Sequence, residues 1–145
     1  MDISADGKFV AAGSYGGRAA VWTMNGEEVT AFVVSKKNLS SVTFSPDGST
    51  LATAGLGDDI WIYSLPAGEL LTTLSGHKIA IGSLNFINAG KQLFSAGNEG
   101  SVRFWNTSIW KEDRAIAMED TGGRMFVFSG DEKHIAVGKE SAVQV

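Results

Sequence analysis

The chain has 145 residues, 43% of them hydrophobic and 19% charged, with a net charge of −4 and a pI near 5.1. That acidic balance argues against a nucleic-acid or anionic-membrane surface, because phosphate binding depends on clustered Lys and Arg. No run approaches the roughly 20 apolar residues of a membrane span, Met1-Asp2-Ile3-Ser4 lacks the basic start of a signal peptide, and a chain without cysteine has neither disulfide nor thiolate metal site, so a cytoplasmic setting is expected.

Internal repetition is the dominant signal. An aromatic or apolar residue recurs at Ile3, Phe44, Phe86 and Phe128, at spacings of 41, 42 and 42. Three residues after each come Asp6-Gly7, Asp47-Gly48, Ala89-Gly90 and Asp131-Glu132, and an aliphatic follows at Val10, Leu51, Leu93 and Ile135. A second aromatic column, Trp22, Tyr63 and Trp105, is preceded by Val21, Ile62 and Phe104. In chain order, the second unit predicts a strand over Leu39–Phe44, then a turn at Ser45-Pro46-Asp47-Gly48, where Asp-Gly tolerates tight backbone geometry. Further strands are predicted over Thr50–Ala54, Asp59–Tyr63 and Glu69–Leu74, separated by Gly55-Leu56-Gly57-Asp58 and Pro66-Ala67-Gly68. No segment sustains a 3.6-residue apolar period. The expected class is all-β: propeller blades of four short antiparallel strands.

The third unit carries Gly76-His77 near its start, Ser95 in its second strand and Phe104-Trp105-Asn106 in its third. In these residues the chain resembles the WD-repeat family of β-propellers along its whole length, with Asn106 where that family usually has Asp. The resemblance implies a hydrogen-bonded structural tetrad of His77, Ser95, Glu99 and Trp105, with Glu99 in the usual Asp place. The second unit offers Ser35, Thr53, Gly57 and Tyr63, and the first Ala12, Gly16 and Trp22, so neither has a full tetrad. The resemblance divides the chain into blade 1 (about 1–33), blade 2 (34–75), blade 3 (76–118) and a partial blade 4 (119–145). About three and a half blades of an expected ring of about seven are present. The alignment of Met1-Asp2-Ile3 and Ala142-Val143-Gln144-Val145 to strands within blades leads to the expectation that further blades of a longer chain, or a second copy, complete the ring.

Catalytic or metal chemistry finds little support. His77 could be a general base, but its position favours a structural histidine; His134 falls in a variable column. Asp58-Asp59 could ligate a hard cation, yet strand neighbours point to opposite faces. Gly55-Leu56-Gly57 lacks the remainder of a dinucleotide loop. The sequons Asn38-Leu39-Ser40 and Asn106-Thr107-Ser108 carry little weight without a secretory signal. Trp22, Tyr63 and Trp105 read as blade core, while Trp61 and Trp110 lie off that column, at a surface or blade interface. No catalytic residue, metal ligand or cofactor is expected.

The resemblance implies a protein-interaction scaffold whose loops at one face engage a partner protein or peptide. Carried over by column, the contact positions are Asn38, Ser40, Ala80, Gly82, Gly122 and Arg124 at the inner strands, and Tyr15, Leu56 and Asn98 in the turns. Tyr15 and Arg124 stand out, because Tyr and Arg dominate interface hot spots; the blander alternatives are that Tyr15 packs over Gly16-Gly17 and Arg124 pairs with Asp120. The competing expectation is a fragment of an enzymatic or ligand-binding propeller whose active residues lie in other blades, since fold does not decide function.

Overall fold

A computed structural model describes residues 1–118, 125–129, 134–138 and 143–144. The first sheet contains β1 (Asp2–Ile3), β2 (Phe9–Gly13), β3 (Arg18–Thr23) and β4 (Glu28–Val33). The second contains β5 (Leu39–Phe44), β6 (Thr50–Gly55), β7 (Asp59–Ser64) and β8 (Leu70–Ser75), and the third β9 (Ile81–Ile87), β10 (Gln92–Gly97), β11 (Ser101–Asn106) and β12 (Lys111–Ala117). A fourth holds β13 (Met125–Phe128), β14 (Ile135–Gly138) and β15 (Val143–Gln144). Within each sheet the strands pair in chain order and antiparallel, so each sheet is a meander and forms one blade of an open, all-β propeller segment. There is no helix among the described residues.

Four strand limits differ from the sequence reading: β7 ends at Ser64 and β8 at Ser75, each one residue later. β6 continues to Gly55, and β8 starts at Leu70, because Glu69 closes the preceding turn. Its carbonyl accepts the Ser64 N–H at 2.8 Å and its own N–H reaches Ser64 Oγ at 3.3 Å.

The recurring Ser-x-Asp-Gly turn has a side-chain cause. Ser45 Oγ donates to Asp47 Oδ1 at 2.6 Å and accepts the Thr50 N–H at 3.0 Å, pinning the strand ends on either side. Ser4 repeats this with Asp6 at 2.7 Å and Phe9 at 2.9 Å. The Ser45 hydroxyl and the Ser49 N–H hold the Asp47 carboxyl below its ordinary range. The third unit has Ala89 in the Asp column and turns instead through left-handed Asn88 and Ala89, both at φ 53°.

Because successive strand residues face opposite ways, each sheet has two apolar faces. Leu51 packs with Ala11, Val21, Val42 and Phe44 towards blade 1, whereas Ala52, Ile60 and Ile62 pack with Ile81, Leu84, Leu93 and Trp105 towards blade 3. Phe94, Val102 and Phe104 continue the series against Phe126. Phe32 of blade 1 stacks on Tyr63 of blade 2, with ring centroids 3.9 Å apart. Trp110, at φ 51°, also packs on the core between blades 2 and 3. The first strands run beside one another, β1 by β5, β5 by β9 and β9 by β13. Side chains fasten them: Asp2 Oδ2 accepts from Thr43 Oγ1 at 3.0 Å and from the Phe44 N–H at 2.9 Å, and Ser41 Oγ accepts the Leu84 N–H at 3.1 Å.

Ile62 is fully buried between two blades and Ile116, on the outer strand, is 41% exposed. Ile62→Ala is therefore expected to cost about 2–5 kcal/mol in urea unfolding followed by tryptophan fluorescence, and Ile116→Ala less than about 1 kcal/mol. Equal losses would contradict this placement of the core.

Candidate functional site

Two constellations lie at one end of the blades, the end at which the second strand turns into the third and the chain enters each first strand. The first is internal to blade 3. Trp105 Nε1–H donates to Ser95 Oγ at 2.8 Å, Ser95 Oγ and His77 Nε2 are 2.7 Å apart, and His77 Nδ1 and Glu99 Oε1 are 2.5 Å apart. Ser101 Oγ also donates to Glu99 Oε1, at 2.5 Å. Ser95 and the His77 side chain are fully buried. Gly97 makes room for the longer acid: a Cβ there would stand 2.1 Å from Glu99 Oε2 and 2.4 Å from His77 Nδ1.

The direction of the protons follows from counting donors. Trp105 can only donate, so Ser95 Oγ accepts from it and spends its own proton on His77 Nε2; His77 Nδ1–H then donates to the Glu99 carboxylate. This assigns a neutral histidine. Burial lowers the His77 pKa below the usual histidine range despite the opposing pull of Glu99. Burial pushes the Glu99 carboxyl up, but hydrogen bonds from Ser101 and His77 outweigh it and hold the group below its ordinary range. A chain with all its protons directed inward orients the loop before β9; His77 is engaged at both nitrogens and faces no open cavity.

The second constellation is a cleft of about 600 Å³ between blades 1 and 2, lined by Gly13, Ser14, Tyr15, Asn38, Leu39, Ser40 and Leu56. Four positions named from the sequence, Tyr15, Asn38, Ser40 and Leu56, thus meet in one place. Backbone bonds build its floor: Leu39 N–H donates to Ser14 O at 3.0 Å and Leu56 N–H to Asn38 O at 2.9 Å. The second contact requires glycine at position 55, where a Cβ would stand 2.0 Å from Asn38 O. Tyr15 is 84% exposed and does not pack down over its glycines, and Leu56 is 54% exposed. Ser40 sits in a β-bulge, between Leu39 paired with Gly55 and Ser41 paired with Ala54. Bulges re-aim side chains, and here the Ser40 hydroxyl donates to Ile81 O of blade 3 at 2.5 Å.

Of the other described positions, Asn98, Ala80 and Gly82 do not line this cleft. Asn98 is exposed on the corresponding turn of blade 3, with its N–H on Ala80 O at 2.8 Å. Arg124 and Gly122 lie outside the described residues. Trp61 is half-buried, its ring 3.5 Å from where a Gly57 Cβ would be. Asp59 accepts the Ser75 hydroxyl at 2.6 Å. Among the described residues no group of three or more His, Asp or Glu could hold a metal ion. Sequence columns did not single out Ser14 or Leu39, which join the cleft through backbone bonding across the blade boundary, a relation without a sequence signature.

The WD domain, G-beta repeat family model matches residues 26–64 and 68–106. The chain belongs to the WD40 repeat family. Among similar proteins, COMPASS component SWD3 of Saccharomyces cerevisiae is 33% identical over 107 residues, covering 72% of this chain and 33% of the yeast protein. Topless-related protein 3 of Arabidopsis thaliana is 26% identical over 75% of this chain and 10% of its own length. Transducin beta-like protein 2 of Homo sapiens is 24% identical over 75% of the chain and 26% of its own length. The chain therefore spans a third or less of these relatives.

The buried, neutral His77 makes stability depend on pH. Between about pH 7 and 5 an unfolded chain takes up a proton on this histidine that the folded chain refuses, so the folded state loses stability as pH falls. Chemical denaturation across that window is expected to show this loss, and His77→Gln to flatten it while costing about 1–3 kcal/mol at pH 8 through unpaired buried groups. An unchanged slope in the variant would show that His77 is not held neutral.

Proposed function

We propose that the cleft between blades 1 and 2 is where this scaffold docks a segment of a partner protein. The observation that carries the reading is the meeting of Tyr15 and Leu56, two large exposed side chains, around Asn38 and Ser40 in one concave site. A large exposed apolar residue on a turn costs water contact without packing, and two of them flanking a polar floor suit an apolar anchor. The half-buried Asn38 carboxamide, at the cleft wall, can offer both a donor and acceptors to an extended backbone, and the Ser40 oxygen a further acceptor. The name of the yeast relative marks it as a component of COMPASS, in keeping with a place in an assembly.

Completion of the ring belongs to the same proposal. Ile3 is 51% exposed and Trp22 is only half-buried, whereas the aligned Tyr63 and Trp105 are 5% and 3% exposed against a neighbouring blade. A further blade, from a longer chain or from a second copy, would cover Ile3, Val10 and Trp22. Metal ions and cofactors have no part in this reading, and neither nucleic acid nor membrane is invoked.

Tyr15→Ala and Leu56→Ser are each expected to weaken partner binding by at least ~1 kcal/mol in titration calorimetry, with unfolding midpoints unchanged. Lys91→Ala, in the turn at the opposite end of blade 3, serves as the control. Loss of binding in the control alone would move the docking face to the other end.

A further inference from the structure

The charges around this cleft point to the chemistry of its occupant. Residues 1–72 hold eight acids and only four bases. Lys8 pairs with Asp6 at 3.2 Å and Arg18 with Glu28 at 3.0 Å. The other two bases, Lys36 and Lys37, are adjacent, exposed and without a carboxylate partner among the described residues. They immediately precede Asn38 in the loop that leads into β5. That loop has a set backbone: Ser35 Oγ donates to Lys37 O at 2.9 Å and accepts the Lys37 N–H at 3.0 Å, and the Val34 N–H is held by Gly17 O at 2.8 Å. The Lys37 stem runs along the Leu56-Gly57 turn, its Cδ 4.0 Å from where a Gly57 Cβ would stand. Lys37 therefore borders the cleft on the Leu56 side.

The acids of blades 1 and 2 are distributed the other way. Asp6, Glu27, Glu28, Asp47 and Glu69 lie at the opposite end, in the turns or at the strand ends beside them. Asp2 is engaged by Thr43 and Phe44, and Asp59 by Ser75. Asp58, exposed beside Gly57 at the cleft's end, meets no cation among the described residues and opposes the two lysines. An acidic half-chain thus presents its two unpaired cations beside the exposed Tyr15 and Leu56.

We propose that the cleft selects an acidic peptide segment bearing one apolar anchor, the anchor between Tyr15 and Leu56 and the flanking carboxylates on Lys36 and Lys37. This rests on the docking assignment above and adds to it the class of partner. Complementary charge of this kind speeds encounter and excludes basic competitors, while the apolar contact sets the lifetime of the complex.

The test is a display selection of random peptides of about twelve residues, long enough to occupy such a cleft in extended form, against the 145-residue chain. Enriched peptides are expected to carry Asp or Glu around a single aliphatic or aromatic residue. Fluorescence anisotropy on the best of them should show Lys36→Glu/Lys37→Glu weakening binding about tenfold or more, Asp58→Asn strengthening it about twofold, and added salt weakening it. If the enriched peptides are neutral or basic but still lose affinity with Tyr15→Ala, the docking face stands and the acidic selectivity is wrong. If acidic peptides bind with full affinity to both Tyr15→Ala and Leu56→Ser, the cleft itself is wrong. A selection that enriches nothing over the Lys36→Glu/Lys37→Glu chain overturns the acidic selectivity.

Discussion

A four-stranded sheet whose two faces are both apolar cannot hide either face by itself, and the organisation of this chain follows from that constraint. In blade 2, Leu51 and Ala52 are neighbours in β6 and both are fully buried, one towards blade 1 and the other towards blade 3. Only stacking of successive sheets meets such a demand, because one side of every sheet must serve the unit before it and the other side the unit after it. Short strands and tight turns are consequences: the stack has two open ends, and whatever the protein offers to other molecules has to be built from the turns there.

Polar groups inside the stack are few and specific. The Trp105–Ser95–His77–Glu99 chain reaches from the core of blade 3 to the loop before β9, so that loop is tied to the tryptophan. Blade 2 has no such chain. Its corresponding loop, residues 34–38, is held instead by the Gly17 carbonyl of blade 1 and by Ser35, and the fully buried Thr53 hydroxyl turns to the Trp61 carbonyl at 3.4 Å. With histidine replaced by a loop bearing Lys36 and Lys37, the boundary between blades 1 and 2 becomes the place where charge, exposed apolar surface and a concave floor coincide. The missing tetrad and the cleft are thus two aspects of one local departure from the repeat.

The repeat and the blade architecture were legible in the sequence because each is expressed at a fixed spacing, whereas the membership of His77, Ser95, Glu99 and Trp105 in one set was implied by the family resemblance. Tyr15, Asn38, Ser40 and Leu56 were legible as columns, but as separate ones. That they share a cleft while Asn98 does not depends on the bulge at Ser40 and on the Leu39–Ser14 bond between blades. The pairing state of the basic residues was equally hidden, since Lys8, Arg18, Lys36 and Lys37 count alike as bases and their partners depend on what stands within reach of their side chains.

By itself, then, the sequence determined the local alternation of apolar and polar residues, the turn chemistry of Ser45-x-Asp47-Gly48, and the period of about 42 residues that requires sheets to stack. Tertiary structure alone decided which face of each sheet meets which neighbour, which basic residues stay unpaired, and how two turns and a loop from different blades enclose one cleft. The physical reason is range. Strand alternation and turn geometry are set by residues within a few positions of one another, whereas a cleft wall, an inter-blade hydrogen bond such as Asp2 to Thr43, or a salt bridge such as Arg18 to Glu28 joins residues that only folding brings within a few ångströms.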